Sequence, residues 1–170
     1  MILLWPELSS RFAGHSVGQD AALNERLLFN IVALDAIVRY PFFGVGAGNF
    51  VGYFKETLPG LSLSLYQPVH NIFLLIAAES GLSAALFFVL FLGSVLGRAI
   101  RSFIKGLQGP QQFITLGFMF HALSFGIFVG MYDHFFWTIQ QTALLFWLVL
   151  GLVASYSKYR ITSVTKNGDL

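Results

Sequence analysis

Apolar positions collect in three long, nearly unbroken runs, residues 71–96, 113–131 and 135–154, divided by short polar breaks. A helix that crosses a bilayer needs about 20 mostly apolar residues, and each run is long enough. The pattern therefore predicts an all-α, polytopic transmembrane protein with three spanning helices. The first run carries Glu79, Ser80 and Gly81 in its outer third and ends at Gly97, ahead of Arg98, Arg101 and Lys105. The second follows the Gly109 and Pro110 turn and contains His121; the third follows a hinge of Tyr132, Asp133 and His134.

Residues 1–69 hold no run of that length, because the apolar stretch from Ile2 to Trp5 stops at Pro6 and Glu7. Within them, residues 24–40 (NERLLFNIVALDAIVRY) predict a helix of mixed polarity, with Leu27, Leu28, Ile31, Leu34 and Val38 on one broad face. Asn24 suits its N-cap, and Pro41 pushes Tyr40 toward extended backbone, which ends it. Asn30 and Asp35 argue against spanning, so the expected place is the membrane surface or the side of the bundle. Asp35 and Arg39, four residues apart, fit an exposed ion pair.

Composition agrees with the runs: 56% hydrophobic and 16% aromatic residues, with mean hydropathy +0.71, exceed what soluble domains carry, and 11% charged residues fall below it. Basic residues then orient the chain, since Lys and Arg favour cytoplasmic loops. Arg98, Arg101 and Lys105 mark the loop 98–112 as cytoplasmic, and Lys158, Arg160 and Lys166 mark the tail 156–170. The hinge at Asp133 has no basic residue, and in residues 1–69 Arg11, Arg26, Arg39 and Lys55 are outweighed by Glu7, Asp20, Glu25, Asp35 and Glu56. Those segments, and His70 with them, are expected on the outer side. A 69-residue outer segment ahead of the first helix is unusual, so the expectation is that the chain is the C-terminal part of a larger protein with an N-terminal half missing. Without cysteine there is no disulfide and no thiolate chemistry.

Candidate chemistry concentrates on the outer side. Arg26 lies four residues before Asn30 with no facing acid; its guanidinium suits phosphate oxygens, or equally a position among lipid headgroups. The turn at residues 41–50 (PFFGVGAGNF) sets Gly44, Gly46 and Gly48 where backbone N–H groups can cradle an anion; bending and close approach to a helix have better odds. It lacks the spacing of a nucleotide loop, a preceding strand and a following Lys-Ser or Lys-Thr, so nucleotide binding is rejected, and no nucleic-acid partner is expected. His70 and Asn71 open the first run. A neutral imidazole there serves as a general base or as an interfacial anchor, and Asn71 as a helix cap. Glu79, costly inside a bilayer, either faces a polar partner or reaches water. Gln140 and Gln141 fit helix contacts as well as a site, and Phe135 and Trp137 an aromatic belt. His15, His121 and His134 are scattered and lack ligand spacing, so no metal is expected.

The ordered set of Arg26, the Pro41 turn with GVGAGNF, His70-Asn71 and Glu79-Ser80-Gly81-Leu82 resembles the O-antigen ligase and O-antigen polymerase family of bacterial lipid-linked-glycan transferases, over about residues 20 to 155. The resemblance implies a multi-pass protein of the bacterial inner membrane. It would move a glycan from an undecaprenyl-pyrophosphate carrier to a glycan, lipid or protein acceptor hydroxyl, without metal, nucleotide or other cofactor. It implies catalytic roles for His70 at the acceptor or leaving group and Arg26 at the pyrophosphate. Asn71, Gly44, Gly46, Gly48 and Glu79 would line the substrate site. Family members have about a dozen spanning helices, so two alternatives stand: a non-catalytic membrane protein or remnant, and a component of a lipid-linked-glycan transporter.

Overall fold

The computed structural model describes the backbone of residues 19–105 and 110–167, and among them every regular element is helical. The order is α1 (Gln19–Arg39), α2 (Phe50–Thr57), a single 3-10 turn (Leu63–Leu65), α3 (Ile72–Lys105), α4 (Pro110–Gly130), α5 (Phe135–Thr138) and α6 (Gln140–Asn167). The stretch from Ile2 to Trp5, together with His15, lies outside the described residues. Two compact units divide the chain: residues 1–86 with 131–134, and residues 87–130 with 135–170.

In the first unit α1 starts earlier than residue 24, so Asn24 lies inside the helix and does not cap it. The helix leaves at Tyr40, whose N–H still donates to the Ala36 carbonyl, as Pro41 dictates. Its buried stripe is Leu28, Phe29, Val32, Ala33 and Ala36, while Leu27, Leu34 and Val38 are exposed. The expected face was therefore only partly correct, because polar residues scattered round a helix of mixed polarity give periodicity little contrast. Asp35 does pair with Arg39, at 3.0 Å. It also accepts a short hydrogen bond from the Tyr53 hydroxyl of α2, an interaction beyond the reach of local spacing. Burial, then that bond, pushes the Tyr53 phenol up to about 12, so it remains a donor at any physiological pH. Phe50, Tyr53 and Phe54 of α2 are buried, with Phe29 and Phe54 packed edge to face. The Tyr66 hydroxyl donates to the Leu58 carbonyl and accepts from Leu61, holding the return toward α3.

The first apolar run is helical but broken. Gly81, at φ 88° and ψ 168°, interrupts α3. A break there frees the carbonyls of Ala78 and Glu79, which accept from Val45 and Gly46 at 2.9 Å each. The Leu82 N–H, cut off from its own helix, donates to Pro41 at 2.8 Å, and Ser83 Oγ donates to Phe42 at 3.1 Å. The glycine turn and the broken helix thus satisfy each other's backbone groups, a latch between sequence elements some 35 positions apart.

In the second unit Phe88, Leu92, Val95, Leu123, Phe146, Leu150 and Val153 are buried. Trp137 joins Phe88 and Trp147 in an aromatic cluster. Gly126 lets Phe146 approach closely, as a Cβ there would lie 3.3 Å from its ring. The third apolar run is not one helix: α5 ends at Thr138 and α6 begins at Gln140, with the Thr142 hydroxyl donating back to the Phe135 and Ile139 carbonyls. Arg98 and Arg101 lie on the last turns of α3, donating to the Ser94 and Gly97 carbonyls, rather than in a loop. Among the described residues one helix, Ile72–Ser102, is long and apolar enough to cross a membrane; Phe120–Gly130 and Gln140–Ser155 are shorter apolar helices.

Candidate functional site

The residues singled out from sequence gather in the first unit, around the start of α3. Asn71 holds the position that fixes this corner. Its Oδ1 accepts from the backbone N–H of Phe73 and Leu74 at 2.9 and 3.1 Å, the geometry of an N-cap, which agrees with the expected cap. Its Nδ2 meanwhile donates to the Met131 carbonyl at 3.1 Å. One side chain thereby starts the helix and ties residues 131–134 to its mouth.

That tie sets Asp133 and His134 beside His70. His70 Nδ1 faces Asp133 Oδ1 at 3.8 Å, with the two side chains 22% and 35% exposed. This is longer than a hydrogen bond, and the buried Nδ1 has no hydrogen-bond partner. Asp133 Oδ1 instead accepts from the His134 N–H at 2.7 Å. The His70 ring lies between Phe29 and His134, with centroids 5.6 and 5.0 Å away. Burial, then the neighbouring His70, holds the His134 imidazole below the usual histidine range, against the opposing pull of Asp133. At pH 7 His134 is therefore neutral and keeps a lone pair. Donor atoms of His70, Asp133 and His134 lie within 4.8 Å of one another and, among the described residues, form a group that could hold a metal ion. From sequence His134 is an isolated residue; only the fold brings it to His70, across more than sixty positions.

The other candidates divide into two kinds. Arg26 is exposed on α1, one turn before the Phe29 that touches His70, so the helix carrying the cation abuts the imidazole. Gly44, Gly46 and Gly48 all have positive φ, at 67°, 105° and 72°. A Cβ on Gly44 would stand 2.3 Å from the Glu79 carbonyl carbon, so close approach to a helix is what that residue supplies. Glu79 is 8% exposed, and its Oε1 accepts from the Phe50 N–H at 3.3 Å, placing a carboxylate at the start of α2. It faces a polar partner and not water. His121 is exposed on α4, in the other unit.

Replacing Asn71 by alanine removes both the cap and the tie. The expected cost is about 1–3 kcal/mol, the sum of a lost cap and one further hydrogen bond. Asn71→Asp keeps a cap oxygen and loses only the donor to Met131, so its melting temperature in detergent should fall by less. Equal losses for the two variants would show that the cap contributes nothing, and no loss for Asn71→Asp would show the same of the tie to Met131.

No curated protein and no solved structure matches the chain. A family model described as O-antigen ligase matches residues 2–89. The matched span carries α1, the glycine turn, α2, His70, Asn71 and the Gly81 break, but not Asp133 or His134, and it is shorter than the expected span of about 20 to 155. It covers more than half of the 170 residues, and the chain belongs to the O-antigen ligase family.

Proposed function

We propose that this membrane protein transfers a glycan from an undecaprenyl-pyrophosphate carrier to an acceptor hydroxyl on the outer face of the inner membrane, with His70 as base and Arg26 at the pyrophosphate. The observation that carries the reading is the meeting of the half-buried His70 with Phe29 on the helix that bears Arg26, inside the span that matches the family. His70 accepts the acceptor's proton as its oxygen attacks the anomeric carbon. The bond from that carbon to the pyrophosphate oxygen breaks, and the leaving group departs as an anion. An exposed guanidinium, charged at every accessible pH, suits those oxygens. The glycine turn and Glu79 serve by shaping the outer segment rather than by touching substrate, consistent with their backbone partners. Helices α3, α4 and α6 are the three spanning segments, with His70 outside and the C-terminus in the cytoplasm.

The test is transfer in proteoliposomes holding the full chain, the lipid-linked donor and an acceptor. Arg26→Ala should raise the KM for donor about tenfold or more, the equivalent of one charge-assisted hydrogen bond. Its exposure predicts an unchanged melting temperature. An unchanged KM would remove Arg26 from the donor site, and a donor left intact by the wild type with each acceptor class would remove the transferase reading.

A further inference from the structure

We propose that His70, Asp133 and His134 form a binding site for one divalent transition-metal ion of the zinc class. Two imidazole nitrogens and a carboxylate oxygen make a donor set that suits zinc, with a fourth position left for water or another ligand. All three come from one compact unit, and their donor atoms already lie within 4.8 Å of one another. The second observation is independent of that clustering. A buried polar atom without a partner is rare, and His70 Nδ1 is one, aimed at a carboxylate oxygen 3.8 Å away. An ion bonded to both at about 2.0–2.2 Å spans that separation and satisfies the nitrogen. Bringing His134 fully into range asks for roughly 1 Å of closure, within reach of side-chain rotation in the 131–134 turn.

Asn71 then acquires a further role, since its bond to Met131 holds two donors against the third. The site also bears on the chemistry proposed above, and this consequence rests on that reading while the site itself does not. A neutral imidazole has one lone pair. An ion on Nδ1 takes it and leaves Nε2 carrying the proton, so metal-loaded His70 cannot act as a base.

The experiment is titration of Co2+ into the full chain, freed of any affinity tag and held in detergent micelles, followed by Zn2+ displacement. The expected result is a visible absorption band typical of low-coordinate cobalt, saturating at one ion per chain and erased by Zn2+. His134→Gln and Asp133→Asn should each weaken Co2+ binding at least about tenfold, while His121→Gln leaves it unchanged. Asp133→Asn keeps an oxygen to accept the His134 N–H, so it decides the matter if His134→Gln fails to fold. Absence of the band, or binding undiminished by Asp133→Asn, would overturn the proposal.

Discussion

Gly81→Ala should leave the first unit unable to fold. Gly81 sits at φ 88° and ψ 168°, where an L-residue pays about 1–3 kcal/mol, and a Cβ added there would stand 2.2 Å from the Phe42 carbonyl oxygen and 2.4 Å from its carbon. Those neighbours are backbone atoms, held by the bonds from Leu82 to Pro41 and from Val45 and Gly46 to Ala78 and Glu79. They cannot swing aside as a side chain would. Relief requires opening the latch, which strands several buried polar groups at about 1–3 kcal/mol each. Together these terms match the whole stability of an ordinary domain, about 5–15 kcal/mol. Gly44→Ala meets the same wall from the other side, 2.3 Å from Glu79. Two other glycines separate the causes. Gly60 has φ 91° with nothing near it, so its alanine variant carries backbone strain alone. Gly93 lies in open helix, where alanine should stabilise by roughly 0.5–1 kcal/mol. Thermal unfolding in detergent should rank Gly81→Ala and Gly44→Ala far below Gly60→Ala, with Gly93→Ala at or above wild type. If Gly81→Ala melts with Gly60→Ala, the close approach between turn and helix is wrong.

His70→Ala should lower kcat for glycan transfer by about 10²–10⁴, the usual worth of a positioned general base. The variant should keep most of its stability. His70 contributes ring contacts to Phe29 and His134, but its Nδ1 makes no hydrogen bond that the fold would lose. A fall in kcat with a nearly unchanged melting temperature and donor KM is therefore the signature of a base, whereas a parallel collapse of kcat and melting temperature points to a structural residue. Transfer at the wild-type rate by His70→Ala would end the catalytic assignment.

How much of this was readable in advance depended on how far apart the interacting residues lie. The exit of α1 before Pro41, the Asp35–Arg39 pair and the Asn71 cap all rest on neighbours within a turn or two, and each is present, whereas the helix begins at Gln19 and not at Asn24. Gly81 could be seen in the apolar run, but its break could not, since the bonds replacing the lost helix bonds come from a turn on another element. The same holds for Glu79, whose partner Phe50 is 29 positions away. Asp133 and His134 looked like a hinge with an unconnected histidine. Nothing local says that Asn71 will reach Met131, 60 positions on. The buried stripe of α1 was misplaced for a different reason: where polar residues are scattered round a helix, only the shape of the partner chooses the inward face. The stop at Ile139 hid inside an apolar run that carries neither proline nor glycine there.

The broken helix has one more implication. Hydrocarbon offers no solvent to a bare amide, so a chain that bends within or beside a bilayer must bring its own replacement for water. Residues 41–46 do this for α3: they occupy the groups that Gly81 releases, acceptor for donor and donor for acceptor. The direction of the helix can therefore change while the Ala78 and Glu79 carbonyls and the Leu82 N–H stay bonded within the protein rather than to solvent.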